Sequence, residues 1–492
     1  MKVGPDITNS VITKELHEKK TPWGSLWLSY LIQAVTATQY SVYLTSMWPY
    51  LSSLDENADL TFFGWITTTY SIGQMFACWV FGYWNQKTMS TIKPATCGLV
   101  LMVIGNFLYG ILPSLPSNHR WYMLGARFIA GIGSGNLVTL RTYCSMASVP
   151  EDKSKAMSLA IGAYVVGFSI GPAIQALFTP IGKDGILIGI LRLSMYTTPA
   201  MIMALTSMIS FFLLIFCFVE TYSGVITEEE KKTDSFFVMP QYDRIAAYFC
   251  IYLWFMKQSL ATMVEVIATP FTITLYKWTD SEAIFYNGIL QFVGCFVDIT
   301  NYLLLGYTRI GRLDKRKMFL FSIACFTIFF TLTMPWPFYD GPLEYVDMGN
   351  DSIPEDTSVA GGCLSRYTWC AHTKKVPLPV YLICFTVVSG FAFPYLAAPL
   401  GVVFAEILGP RKQGLMQGVF EFGGCIARCV VPVLVMSLFE QSGYIWPTAI
   451  NLAMVVIALF FVLLLYRRLV PLQLKPPNGV ATRYKAGVFY HL

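Results

Sequence analysis

Charged side chains are scarce in this 492-residue sequence: Asp, Glu, Lys and Arg make up only 13% of it, whereas hydrophobic residues make up 55%. A soluble protein carries about 25% charged residues. A soluble chain of this length would form several domains, each with a polar surface facing water. Too few charges are present to cover such surfaces, which excludes an ordinary soluble protein and indicates that lipid covers much of the molecule.

Sequence signatures of catalysis and cofactor binding are also missing. The sequence has no Walker phosphate-binding motif, no Cys/His spacing typical of zinc, and no recognisable nucleophile–base arrangement. The net charge of +5 comes from basic residues scattered over short polar segments, not from a basic stripe. We therefore expect a protein that is not an enzyme and that has no catalytic residues, no cofactor, no metal and no nucleic-acid partner.

Cysteines outside apolar segments are rare, although the sequence has twelve in all. Only Cys363 and Cys370 lie in a polar segment, and the others act as small hydrophobic residues. The first 20 residues are polar and lack the apolar core of a cleavable signal peptide. We expect the first apolar segment to serve as both signal and anchor.

Long apolar segments recur along the chain. A membrane-spanning helix needs about 20 predominantly apolar residues. Twelve segments meet this condition and predict an all-α membrane protein whose twelve transmembrane helices form two six-helix bundles. The predicted spans, numbered 1 to 12, lie near 25–51, 61–84, 94–113, 121–146, 156–180, 199–219, 245–275, 283–308, 318–336, 377–404, 413–437 and 444–466.

Polar segments divide these spans into units. The expected order is an N-terminal tail (1–24), a first bundle (25–219), a linker (220–243), a second bundle (244–466) that contains a long loop (337–376), and a C-terminal tail (467–492).

The distribution of basic residues predicts the orientation. With both tails in the cytosol, 23 Lys and Arg lie in cytosolic segments, seven lie on the opposite side, and four lie inside spans. Cytosolic loops of membrane proteins carry such an excess. Asn350-Asp351-Ser352 is the one N-glycosylation sequon and falls in the loop on the far side, together with Cys363 and Cys370. We expect a glycan at Asn350 and a disulfide between the two cysteines, because that compartment is oxidising.

Several motifs resemble those of the major facilitator superfamily. Span 4 contains the string RFIAGIGSGN from Arg127, similar to the family's Arg-then-Gly-rich fourth helix. Span 5 contains Gly167 and Gly171-Pro172, similar to the fifth-helix motif, and the loop after span 2 runs from Gly82 to Lys87 with Asn85 where the family has Asp. The resemblance implies a transporter, with Gly82 and Lys87 in a gating loop. Gly131, Gly135, Gly167, Gly171 and Pro172 are expected to serve helix packing and gating.

Other strings resemble one lysosomal branch of that superfamily. They are MWPYL (47–51), FFGWITTTYSIGQM (62–75), MYTTP (195–199), the Cys pair at 363 and 370, and ILGP (407–410). This resemblance covers about residues 25 to 470. It implies a multi-pass protein of the lysosomal or late endosomal membrane and an endolysosomal chloride conductance.

Three ionisable residues are predicted at a similar depth on the far side of the membrane: Arg127, Glu265 and Arg428. A charge inside a span costs about 2.5–3.5 kcal/mol on insertion scales, so each of these residues is expected to have a structural or functional role. One hypothesis is a binding cluster for an anion or a coupled proton, since paired cations suit a carboxylate, phosphate or halide. The alternative is a structural ion pair that locks helices together.

A second level of charge is predicted nearer the midplane, formed by Lys257, Asp298 and Glu421. Spans 7 and 8 are neighbours, so Lys257 and Asp298 are expected to pair. Arg141 lies near the cytosolic end of span 4 and is expected to extend toward the lipid headgroups.

Span 1 adds polar candidates. Gln39 and Tyr43 are four residues apart and would share a helix face. Contact with substrate and polar contact between helices both remain open for this pair.

Three functions are compatible with these features. The first is a secondary transporter that moves a small solute or anion by alternating access, coupled to protons or ions. The second is a chloride or other anion channel on the same scaffold. The third is a membrane receptor or scaffold that transports nothing.

Overall fold

The structure is a computed structural model of the whole chain. It describes residues 19–44, 46–55, 60–182, 185–188, 191–226, 241–346, 361–364, 367–472, 482–485 and 488–491. The sequon at Asn350 lies outside the described residues, as does most of the linker between the predicted bundles.

The chain is almost entirely helical in the described part, and the predicted spans keep their numbers here. Span 1 is Trp23–Ser41 followed by a short helix, Met47–Leu54; span 2 is Leu60–Thr88; span 3 is Ile92–Gly110; span 4 is His119–Gly133 with Asn136–Ala147; span 5 is Lys153–Leu177; span 6 is Thr197–Phe216. Span 7 is Arg244–Tyr276; span 8 is Asp280–Tyr307; span 9 is Lys315–Leu332; span 10 is Leu378–Ile383, a π-helical turn at Cys384–Val388, and Ser389–Leu408; span 11 is Gly414–Ser442; span 12 is Ile445–Leu464.

Within the described part of the chain, nine of these spans are long and apolar enough to cross a membrane by length and composition. Spans 1, 2 and 9 are helical but more polar. Span 1 carries Gln33 and Gln39 together with several serines and threonines, and span 9 begins with three basic residues, Lys315 to Lys317. Polar side chains of this kind lower the mean hydropathy of a helix without preventing it from forming.

Each half of the chain has its own apolar core. One large cluster of buried residues runs from Ala246 to Leu469 and takes only Ile161 from the first half. Two others run from Leu26 to Phe218 and take only Val402 from the second half. This is the expected arrangement of two six-helix bundles, and spans 2, 4 and 5 of the first bundle meet spans 8, 10 and 11 of the second.

The structure differs from the sequence prediction in a few places. Span 1 is interrupted after Ser41, and Pro49 lies in the first turn of the short helix that follows. Proline is tolerated there because the backbone N–H groups of the first turn have no hydrogen-bond partner within the helix. Two short hairpins, Ile186–Ile188 with Leu191–Leu193 and Thr482–Lys485 with Val488–His491, were not expected.

The two ends of the molecule are distinct. At one end, which we name the tail end, Thr21 donates a hydrogen bond to Asp152 (2.7 Å), and Arg468 forms an ion pair with Asp243 (2.6 Å). At the opposite end, the disulfide end, the structure joins Cys363 to Cys370, with 6.5 Å between their Cα atoms. The chain around this bond is held to the second bundle, because the Tyr444 hydroxyl donates to the Lys374 carbonyl (2.6 Å).

Candidate functional site

Arg127 is buried in an aromatic box in the first bundle. Its guanidinium carbon lies 5.0 Å from the centre of the Tyr43 ring and 4.6 Å from that of Tyr70, and the residue is only 2% exposed. Its Nε and Nη1 atoms are buried without a hydrogen-bond partner in the described structure. The box therefore covers the faces of this cation but leaves two of its nitrogens unsatisfied.

The local sequence explains how the box forms. A Cβ atom at Gly131, one turn beyond Arg127, would overlap the Tyr70 carbonyl, so only glycine lets spans 2 and 4 approach this closely. Tyr43 is held from the other side, because its hydroxyl donates to Asn106 Oδ1 (2.7 Å). Gln39, its predicted partner, accepts a bond from Ser207 (3.3 Å) and keeps an unpartnered Nε2.

Glu265 and Arg428 belong to the second bundle, on spans 7 and 11. Two positive charges act on Glu265: that of Lys257, which has the larger effect, and that of Arg428. Arg428 contacts the Cys425 sulfur through Nη2 (3.4 Å), and its buried Nε has no partner. Within the described residues, neither Glu265 nor Arg428 forms an ion pair with any other residue, and the same holds for Arg127.

Tyr40 lies in the first bundle, where its ring packs against those of Tyr70 (5.0 Å between ring centres) and Phe168 (6.0 Å). Its hydroxyl lies within electrostatic range of Arg428, Glu265 and Arg127. The three residues predicted at one depth thus all act electrostatically on one tyrosine, and no ion pair joins them to one another. Tyr70 was not predicted as a site residue, and no sequence signal distinguishes it from the other tyrosines in the spans.

The two predicted levels of charge meet in the second bundle. Lys257 donates to Gln258 (2.9 Å) and lies 5.3 Å from the Trp254 ring. It interacts electrostatically with Glu265 and Asp298 but forms no ion pair with either, so the expected direct Lys257–Asp298 pair is not present. One oxygen of Asp298 is buried without a partner.

The position of Arg141 differs from the one predicted from the sequence. It does not extend to the headgroups: it is 8% exposed and forms an ion pair with Glu421 across the two bundles. Its guanidinium also lies 5.1 Å from the Tyr164 ring and 5.8 Å from the Trp254 ring. A buried carboxylate on span 11 attracts the arginine more strongly than a distant headgroup layer, because the pair replaces the hydration that both charges lose.

The bundles are in close contact on the tail side of this site. A Cβ atom at Gly82 would lie 2.8 Å from the Gly414 carbonyl, and one at Gly418 would lie 2.6 Å from the Cys78 carbonyl. Ser145 donates to Gln413 across the same interface (2.8 Å).

Two further features mark this side. Ser154 of span 5 donates to the Gly311 carbonyl (2.8 Å) of the second bundle. The segment from Gly82 to Lys87, which was expected to be a loop, belongs to the span 2 helix instead. Lys87 is exposed, and Asn85 donates to the Ser90 carbonyl (3.1 Å).

The remaining glycine candidates are packing positions. A Cβ atom at Gly135 would overlap Ala77, one at Gly167 would overlap the Ala34 backbone, and one at Gly171 would overlap Ser41. Pro172 lies inside span 5, directly after the last of these contacts.

Known proteins share this architecture. Residues 28–346 match the profile of the Major Facilitator Superfamily. Major facilitator superfamily domain-containing protein 8 of Xenopus laevis is 30% identical over 482 residues, which cover 92% of each chain. The resemblance expected from the sequence motifs is thereby confirmed.

Solved structures share the fold. The human organic anion transporter MFSD10 (TETRAN) aligns with a TM-score of 0.64 at 14% identity, covering 90% of this chain and 100% of its own. The proton:xylose symporter XylE aligns with a TM-score of 0.65 at 12% identity, covering 92% and 97%. FucP in its outward conformation aligns with a TM-score of 0.60 at 13% identity, covering 90% and 98%. Identities this low establish the fold alone.

Proposed function

The chain belongs to the major facilitator superfamily, and from that premise we propose that it moves a small anion across a membrane by alternating access. The observation that carries the proposal is a set of three cations inside the spans, Arg127, Lys257 and Arg428, which have no ion-pair partner among the described residues. Two of them, Lys257 and Arg428, act on the carboxylate of Glu265. An unpaired buried charge costs several kcal/mol. A bound anion would compensate that cost where the two bundles meet.

The arrangement of the bundles supports alternating access. Arg127 comes from the first bundle and Arg428 from the second, so an anion held by both would be released on one side when the bundles separate there. The tail side is closed by Arg141 with Glu421 and by the contact of Gly82 with Gly414. Movement toward the tail side requires these contacts to break.

Proton coupling is part of the proposal, and Glu265 is its proposed carrier. Its carboxylate competes with an incoming anion for Lys257 and Arg428. Protonation of Glu265 would remove this competition and strengthen anion binding. The proposed location is the lysosomal or late endosomal membrane, with both tails cytosolic and the disulfide end lumenal; it rests on the resembled sequence strings and the basic-residue distribution. The domain boundaries stated from the sequence remain proposals.

Reconstitution in liposomes tests the transport activity. Purified protein is incorporated into vesicles, and uptake of chloride and of small carboxylates is measured against concentration, with lumenal pH set near 5 or near 7. Saturable uptake with counter-exchange is expected. A current that does not saturate and that reverses at the anion equilibrium potential would assign an anion channel instead. Neither flux nor current, from correctly folded protein, would favour a receptor or scaffold.

A further inference from the structure

An apolar groove opens on the membrane-facing side of the first bundle. It lies between spans 2 and 4 and has a volume of about 590 Å³. Ligand sites in proteins commonly measure about 300–1,000 Å³. The groove is lined by Phe62, Trp65, Thr69 and Ile72 of span 2 and by Trp121, Leu124, Gly125 and Phe128 of span 4. On span 2 these positions recur at intervals of three or four residues, and on span 4 Trp121 and Gly125, like Leu124 and Phe128, are four residues apart, so each helix presents one face to the groove.

Glycine explains why the groove exists. Spans 2 and 4 touch at Gly73, where an added Cβ atom would lie 2.5 Å from the Phe128 carbonyl, and again at Gly131. Toward the disulfide end the helices leave space between them. Gly125 lines this space, and an added Cβ atom there would have no heavy atom within 4 Å. The two helices are therefore held together at these glycine contacts, and beyond them the rings of Phe62 and Trp121 meet across the space (5.0 Å between ring centres).

The mouth of the groove carries charge. Arg120 directly precedes Trp121; its guanidinium carbon lies 5.5 Å from the Phe62 ring, and its Nε lies 3.7 Å from Asp55. The Arg120 side chain is 38% exposed. Trp65 and Trp121 flank the groove at 59% and 56% exposure. Tryptophans with one apolar and one polar neighbourhood concentrate at the level of lipid headgroups.

We propose that this groove binds a phospholipid of the leaflet at the disulfide end. One acyl chain fills the aromatic groove, and the phosphate contacts the Arg120 guanidinium. Because Asp55 balances the charge of Arg120, the mouth suits a zwitterionic headgroup such as phosphatidylcholine better than a strongly anionic lipid. The groove lies on the outer face of spans 2 and 4, and its occupation does not depend on the proposed transport function.

Photolabelling tests the proposal. The full-length protein is reconstituted with phosphatidylcholine that carries a diazirine on its acyl chain, and labelled peptides are mapped by mass spectrometry. We expect labelling to concentrate on spans 2 and 4. Gly125→Leu should reduce this labelling about tenfold, the effect of a loss of about 1.4 kcal/mol in binding, because the leucine side chain would occupy the groove and its Cβ atom meets no heavy atom within 4 Å.

A control variant outside the groove separates binding from folding, and two variants of Arg120 test the contact with the headgroup. Gly64→Leu also places its side chain in open space but lies outside the groove lining, so its labelling should match the wild type. Arg120→Gln should weaken labelling about fivefold, the upper range for an exposed ion pair, and Arg120→Lys should restore most of it.

Three results would overturn the assignment. The first is wild-type labelling in a monodisperse Gly125→Leu protein. The second is an equal loss in Gly64→Leu. The third is competition by cholesterol but not by unlabelled phosphatidylcholine, which would identify a sterol as the occupant.

Discussion

At the scale of single residues, Arg127 is the side chain whose removal should be most damaging to transport. Its guanidinium lies between two tyrosine rings and keeps two nitrogens without partners. A hydrogen bond to a charged group contributes about 1.5–3 kcal/mol. We expect Arg127→Gln to weaken anion affinity by roughly tenfold to a hundredfold, measured as the concentration that gives half-maximal uptake per folded molecule. The exposed loop variant Arg309→Gln is the matched control and should transport normally.

Glu265 should instead control the dependence of transport on pH. Lys257 and Arg428 attract the Glu265 carboxylate, and they would attract a bound anion in the same way. Since protonation removes its negative charge, anion affinity should rise as the pH falls on the side to which the site is open. Glu265→Gln should hold the high affinity at both pH 5 and pH 7. A variant that folds well and still shows the wild-type pH response would remove Glu265 from this role.

At the scale of helices, the contact between spans 2 and 11 depends on residues without side chains. A Cβ atom at Gly418 would lie 2.6 Å from the Cys78 carbonyl, so the two helices would have to move apart. Overpacking of this kind costs about 1–3 kcal/mol. We expect Gly418→Ala to lower the apparent melting temperature in detergent and to weaken closure at the tail end. Gly24→Ala, where nothing lies within 4 Å, should leave the melting temperature unchanged.

At the scale of the whole molecule, two native cysteines offer a direct test of alternating access. The sulfur atoms of Cys78 on span 2 and Cys425 on span 11 lie 3.8 Å apart across the bundle interface. Copper phenanthroline would accept the two electrons released when the thiols form a disulfide. We expect this bond to stop uptake, because the tail end could no longer open, and a reductant should restore it.

The single variant Cys78→Ser supplies the control for this experiment, since its uptake should be insensitive to the oxidant. Full uptake by protein whose Cys78–Cys425 bond has been verified by mass spectrometry would contradict the alternating-access proposal. The same result would be consistent with an anion channel, because a conducting pore need not separate spans 2 and 11 in every cycle.

The sequence by itself determined the number and order of the spans. The thickness of a bilayer sets the length of an apolar segment, and a buried charge is costly wherever it occurs, so both features can be recognised without coordinates. Glycine-rich strings such as the one after Arg127 also identified the family, because a close helix crossing tolerates no side chain. The interruption of span 1 after Ser41 was not recognised, since Pro49 also fits the first turn of a helix.

Only the tertiary structure decided which side chains meet. In a membrane, the helix faces turned toward lipid and toward the protein interior are both apolar, so hydropathy does not show how each helix is rotated. The pairing of Arg141 with Glu421, the tyrosine box around Arg127 and the groove beside Gly125 all depend on that rotation. They join residues that are distant in the chain, and packing alone determines such contacts.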